Sequence, residues 1–214
     1  MAEVELDSGI PTAPWHLSGS ACVTLWRLPE AELPYPGAEI AYATMAGRAL
    51  LFTAWANYLD EGTLNYRELA VGAIIRGKGL LSPSCTATHV WVDDDTARDG
   101  GRQLWCIPKQ TGAFTAQSSE ADRSFAARLH VGEQQVASLS FEAGLALPGT
   151  PTLTGFIVQP GEGGPRRTRC NARARLISGK ATWDFDERGP LAFMRQARPL
   201  FSFRALRLQG WFGI

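Results

Sequence analysis

Short apolar or alternating runs recur along the whole chain: ACVTLWRL (21–28), AEIAYATMA (38–46), RALLFTAWA (48–56), ELAVGAIIR (68–76), TATHVWVD (86–93), SFAARLHV (124–131), QVASLSFE (135–142) and TLTGFIV (152–158). Each is bounded by turn residues, and 22 Gly and 13 Pro supply the punctuation. A period of two interrupted at this spacing predicts strands of an antiparallel sheet that closes on itself or stacks on another. The segment NARARLISGKATWDF (171–185) reads as two further strands.

Helical pattern is sparse. One short helix is expected from about Asp94 through DDTARDG, with an Asp N-cap and a glycine stop, and a second over LAFMRQ after Pro190. QPGEGGPRRTR (159–169) reads as a mobile loop whose Arg166, Arg167 and Arg169 are solvated surface or a phosphate contact. The fold class is therefore β-rich α+β with few short helices.

Composition narrows the function. The 214 residues, 45% of them hydrophobic, suffice for one well-buried core, and a single domain over 1–214 is expected. Twenty-one basic residues balance 21 acidic ones, so no global field draws in nucleic acid or an anionic membrane surface. A small neutral or weakly anionic ligand fits better. The acidic, Pro-interrupted start MAEVELDSGIPTAPWHLSG lacks signal-peptide character and no run is long enough to span a bilayer, so a cytoplasmic protein is expected. Cys22, Cys85, Cys106 and Cys170 form no CxxC pair and read as reduced, packed thiols.

Familiar catalytic templates are missing: there is no GxSxG, P-loop, HExxH or GxGxxG, and His16, His89 and His130 are scattered. Neither a hydrolytic triad nor a metal site is expected, and His89 reads as a half-buried strand residue. Lys109 differs, because Leu104, Trp105, Cys106, Ile107 and Pro108 precede it and Ala113 and Phe114 follow. It is either a snorkelling structural lysine or an amine held in an apolar pocket. In the second case desolvation disfavours the ammonium, and a neutral amine attacks a carbonyl to give a Schiff base. Glu68, beside Tyr66 at the start of an apolar strand, would stand at the mouth of such a pocket and move a proton, or else pair on the surface with Arg67 or Arg76.

PWHLSG near the start, YLDEGTLNYREL (58–69), WVDDDTARDGGRQLWCIPK (91–109) and the closing PLFSFRALRLQGWFG together resemble the acetoacetate decarboxylase family, in the short form of its superfamily. The resemblance implies an antiparallel, cone-shaped β-barrel or double sheet enclosing an apolar pocket, a homo-oligomer, and chemistry without a cofactor. It assigns the Schiff-base lysine to Lys109 and the motif glutamate to Glu68, with Tyr66, Trp105, Gln110 and Arg27 as substrate-binding candidates. Acetoacetate decarboxylase is itself a standard example of a lysine activated in this way.

The chain departs from the family pattern at three places. Gln110 stands where decarboxylases carry a second lysine, the early arginine has only Arg27 nearby, and FTAWA (52–56) lacks a carboxylate where the family has one. The expected function is thus a Schiff-base lyase acting on a keto acid, by decarboxylation or by aldol, retro-aldol or dehydration chemistry. The alternative is a non-catalytic barrel that sequesters an apolar ligand among Trp55, Trp91 and Trp105, which would equally suit an ordinary core.

Overall fold

The computed structural model describes residues 9–37, 39–76, 83–119 and 123–214; residues 1–8 of the acidic N-terminal stretch and Ala38 of the AEIAYATMA run lie outside them. The strands are β1 (Trp15–Pro29), β2 (Thr44–Met45), β3 (Arg48–Tyr58), β4 (Tyr66–Ile74), β5 (Ser84–Val92), β6 (Lys109–Thr111), β7 (Ala113–Ser118), β8 (Ser124–Val131), β9 (Gln134–Ala146), β10 (Thr152–Gln159), β11 (Arg166–Phe185) and β12 (Arg198–Phe212), and helix α1 (Asp95–Trp105) sits between β5 and β6. They form one large twisted sheet in the order β10-β5-β4-β3-β1-β12-β11-β9-β8-β7. Every neighbouring pair on that path is antiparallel except β10–β5, and β6 joins the flank of β5 in parallel.

The strand-rich class is as the sequence predicts, with several corrections in detail. The expected barrel is joined only narrowly: β10 lies along β11 from Thr152 to Gln159 but, among the described residues, meets β5 at just Phe156↔Ser84 and Ile157↔Cys85. NARARLISGKATWDF is a single long strand, not two. It bends at register shifts near Arg173/Arg175 and Ile177/Gly179 instead of turning. Most of AEIAYATMA is not strand, contributing only β2 and a bridge from Tyr42 to Ile75. Arg166, Arg167 and Arg169 belong to β11, and Arg167 stacks over the Phe156 ring at 3.7 Å. LAFMRQ gives a short 3-10 turn over Ala192–Gln196.

Helix α1 starts as expected, with the Asp94 carboxylate accepting from the Ala97 N–H at 2.6 Å. It does not stop at glycine. It runs through Gly100 and Gly101 to Trp105 and ends on Cys106 in the left-handed conformation, φ 57°. Gly100 is present for contact and not for termination, since a Cβ there would lie 2.5 Å from the Trp15 ring.

Alternation along the central strands divides the core in two. One face buries Trp26, Leu51, Trp55, Val71 and Trp91 against Leu139 and Phe141 of β9, which folds back over it with β8. The opposite face carries smaller side chains, Ala21, Ala56 and Ala205, packed near Trp15, Trp105, Tyr58 and Tyr66. All four cysteines are free, and burial pushes the Cys22 and Cys85 thiols up to about 12.

His89 is held between Trp91 (centroids 5.9 Å apart, stacked) and Phe193 (5.6 Å). Burial lowers its pKa below the ordinary 6.5. The unfolded chain therefore takes up a proton at a pH where the folded ring does not. The stability due to the neutral ring is fully present above 6.5 and is lost as the pH falls through that value toward the lower folded one. Urea denaturation at a series of pH values from about 7 to about 5 should show declining stability, with a shallower slope in His89→Gln. An unchanged slope in the variant would assign the loss to other groups.

Candidate active site

Lys109 opens β6 and lies beside Val90 of β5. The chain reaches it from α1 through Cys106, whose N–H closes the helix on the Arg102 carbonyl at 3.0 Å. Ile107 N–H then donates to Gly101 O (3.1 Å) and Lys109 N–H to Ile107 O (2.8 Å), so the chain doubles back along the helix it has just left. Arg102 holds this return in place, its Nε donating to the Lys109 carbonyl at 2.6 Å. The lysine stem lies over Gly101, where a Cβ would come within 2.6 Å of Lys109 Cδ.

The side chain is 3% exposed, and its Nζ stands 2.8 Å from Glu68 Oε2. The Tyr66 hydroxyl accepts from the same nitrogen at 3.4 Å, and the Tyr66 ring centroid is 4.8 Å from it. Tyr66 and Glu68 are two apart in β4 and so project from one face. Glu68 is pinned between Ala56 of β3 and Val92 of β5. Tyr58, opposite Tyr66 across the β3–β4 pairing, stacks on it with centroids 4.8 Å apart. Burial first, and the Glu68 charge second, push both phenols well above their ordinary pKa, so both remain hydroxyls across the physiological range.

Lys109, Glu68 and Tyr66 are thus brought together, and three other residues singled out in the sequence are not part of that group. Trp105 is buried behind it, edge-on to Trp15 (4.7 Å) and Phe212 (4.6 Å). Gln110 is exposed, because the next position along a strand faces the other way. Arg27 is exposed on β1 opposite Leu50 and Arg198, six residues beyond Ala21, the residue that shares a cross-strand row with Ala56 and Glu68. That places it about 20 Å along the strand from the charge pair. Tyr58, Gly101 and Arg102 were not legible as site residues. The GGR triplet before PK was the only sequence signal for the last two, and Tyr58 reaches the site solely by strand pairing. Among the described residues no group of three or more His, Cys, Asp and Glu could hold a metal ion.

The family model for acetoacetate decarboxylase matches residues 34–168, more than half of the chain and spanning both Glu68 and Lys109. The chain belongs to the acetoacetate decarboxylase family. Solved structures similar to this family member include the enduracididine biosynthesis enzyme MppR complexed with pyruvate (TM-score 0.68, 18% identity, covering 99% of this chain and 92% of that one). An acetoacetate decarboxylase-like enzyme from Sphingomonas wittichii RW1 matches with TM-score 0.66 and 15% identity, over 100% of this chain and 95% of that one. The acetoacetate decarboxylase of Legionella pneumophila matches with TM-score 0.66 and 12% identity, over 94% and 85%. At these identities the likeness establishes the fold. No curated protein sequence matches the chain.

Gly101 gives a direct test of this geometry. Gly→Ala inside a helix ordinarily stabilises by about 1 kcal/mol. Here the added methyl meets the Lys109 stem, so Gly101→Ala should destabilise instead. Combining it with Lys109→Ala should recover the helix gain, giving a coupling of at least about 1 kcal/mol in a double-mutant cycle read by urea denaturation. Additive effects would mean that the helix and the lysine do not touch.

Proposed function

We propose that this family member is a Schiff-base enzyme acting on a keto acid, with Lys109 as nucleophile and Glu68 as its proton partner. The observation that carries the reading is the 2.8 Å contact of Lys109 Nζ with Glu68 Oε2 in a nearly water-free site. Glu68 accepts the ammonium proton and frees the amine to add to the ketone carbonyl. The carbinolamine loses its oxygen as water by taking back the proton that Glu68 holds, while the Tyr66 hydroxyl, kept protonated by burial, donates a hydrogen bond to the departing oxygen, and Glu68 is left as the carboxylate. The resulting iminium withdraws electrons from the adjacent carbon, and Glu68 removes the proton there to leave an enamine. A barrel that only bound apolar molecules would have no need of a buried charge pair, whose desolvation costs several kcal/mol per ion before their attraction offsets it.

Among the outcomes open to an iminium, aldol-type or dehydration chemistry is favoured over decarboxylation. Decarboxylation requires the substrate carboxylate to be held so that the breaking bond aligns with the iminium π-system, and an arginine fork is suited to that task. Arg27 stands about 20 Å away along β1, Gln110 faces outward, and Arg102 is engaged with the Lys109 backbone. The structures of MppR with pyruvate and with the condensation product of pyruvate and imidazole 4-carboxaldehyde support enamine chemistry by analogy of fold. The same reading takes the protein as a homo-oligomer, with exposed Trp211 and Ile214 at the end of β12 as one available contact.

Incubation with pyruvate followed by borohydride should add the mass of the reduced adduct to the peptide containing Lys109, and Lys109→Ala should abolish it. Labelling spread over other lysines, or none, would leave the binding barrel as the better reading. Glu68→Gln should remain folded while the trapping rate falls, on the order of 10²- to 10⁴-fold as for other general acid–base groups. Trapping at the wild-type rate would remove Glu68 from the mechanism. Headspace carbon dioxide over acetoacetate should stay near background. Release at around 10 s⁻¹, a median enzymatic rate, with loss in Lys109→Ala, would restore simple decarboxylation.

A further inference from the structure

The sheet face that bears Glu68 does not end at the charge pair. β1 and β3 pair without a register break from Gly19↔Tyr58 to Pro29↔Arg48, so residues two apart stack into successive rows across the strands. The row containing Glu68 is closed by Ala21 and Ala56, both buried. One step out, Val23 and Ala54 are half-buried. In the next row Leu25 is 37% exposed and its partner Phe201 43%, and beyond it Leu50, partner of Arg27, is 45% exposed. Exposure therefore rises step by step along an apolar face outward from the row of Glu68, with the half-buried Phe203 standing opposite Val23 in the intermediate row.

The outer end of this face carries an unusual pairing. Arg27 and Arg198 are direct cross-strand partners, both exposed, and neither has an ion-pair partner among the described residues. Like charges placed directly opposite on a sheet repel, and an anion seated between them removes the repulsion and accepts charge-assisted hydrogen bonds from both. Six residues separate Ala21 from Arg27, about 20 Å of extended strand.

We propose that this face is the binding track for an elongated ligand, an apolar chain ending in a carboxylate or phosphate. The anion sits at Arg27 and Arg198, the chain lies over Leu25, Phe201 and Val23, and the opposite end reaches Lys109. Resting on the Schiff-base reading, this makes the substrate a long-chain keto compound with a distal anion. A ligand fits the face better than a second copy of the chain does, because the exposed apolar rows lead from the facing arginines toward the row of Glu68.

The test uses probes that cannot form an imine, so it stands apart from the test of Lys109. Dodecyl phosphate and dodecanoate, with dodecanol as the neutral control, are titrated by calorimetry into the full chain below their micellar concentrations. Both anions should bind about tenfold or more tightly than dodecanol, and the double variant Arg27→Gln/Arg198→Gln should cancel that advantage and leave dodecanol unaffected. Leu25→Asn should weaken all three probes. The tighter of the two anions identifies the end group. Equal affinity for anion and alcohol, or anion binding unchanged in the arginine double variant, overturns the proposal. So does light scattering in which Leu25→Asn/Phe201→Asn reduces the oligomer while the wild type binds none of the probes, which would make the face a subunit contact. Probe binding without imine trapping would overturn the Schiff-base reading and retain the track; trapping without probe binding would do the reverse.

Discussion

A lysine and a glutamate 2.8 Å apart, each largely shielded from water, impose the constraint on which the rest of the site depends. Separately, either charge would be costly to bury. Together they are tolerable only if the geometry is held tightly and the remaining polar contacts are met. Glu68 obtains that rigidity from the middle of three paired strands, and Lys109 from a helix and a tight turn. The two tyrosines close the surroundings with aromatic surface while leaving a hydroxyl within reach of the amine.

Helix α1 positions the lysine more by what it lacks than by what it offers. Two consecutive glycines in its interior weaken it by roughly 1 kcal/mol each relative to alanine, yet one makes room for Trp15 and the other for the Lys109 stem. Arg102, from the same turn, fastens the strand that carries the lysine. The local cost in helix stability is offset by tertiary contacts, and the outcome is a lysine with one direction available to it.

The asymmetry of the sheet explains why the site lies where it does. Large aromatic and aliphatic side chains fill one face against β8 and β9, whereas on the other alanines let Trp15, Tyr58, Tyr66 and Trp105 pack close to the sheet. The reactive pair stands at the covered end of that thinner face. Its open end shows Leu25, Leu50 and Phe201 to solvent below two facing arginines, more apolar surface than isolated exposed residues would account for.

Local order in the chain was enough for the strands and for part of the chemistry. Alternation marks β3, β5, β8 and β10 closely, and Tyr66 with Glu68 must share a face because they are two residues apart in a strand. The apolar context of Lys109 and the motif blocks shared with the family likewise lie within short stretches. What remained hidden depends on partners distant in sequence. Whether two glycines end a helix or admit a neighbour cannot be read from propensity alone, because the neighbour is Trp15 or Lys109, placed by other elements. The single bent strand over 171–185 exists because β9 and β12 flank it on both sides with shifted registers. Arg27 and Gln110 appear near the chemistry in one dimension and stand away from it in three, since strand direction and the side-chain period of two decide distance and facing. Those are properties of register between strands, set by the packing of the whole sheet and carried by no short stretch of residues.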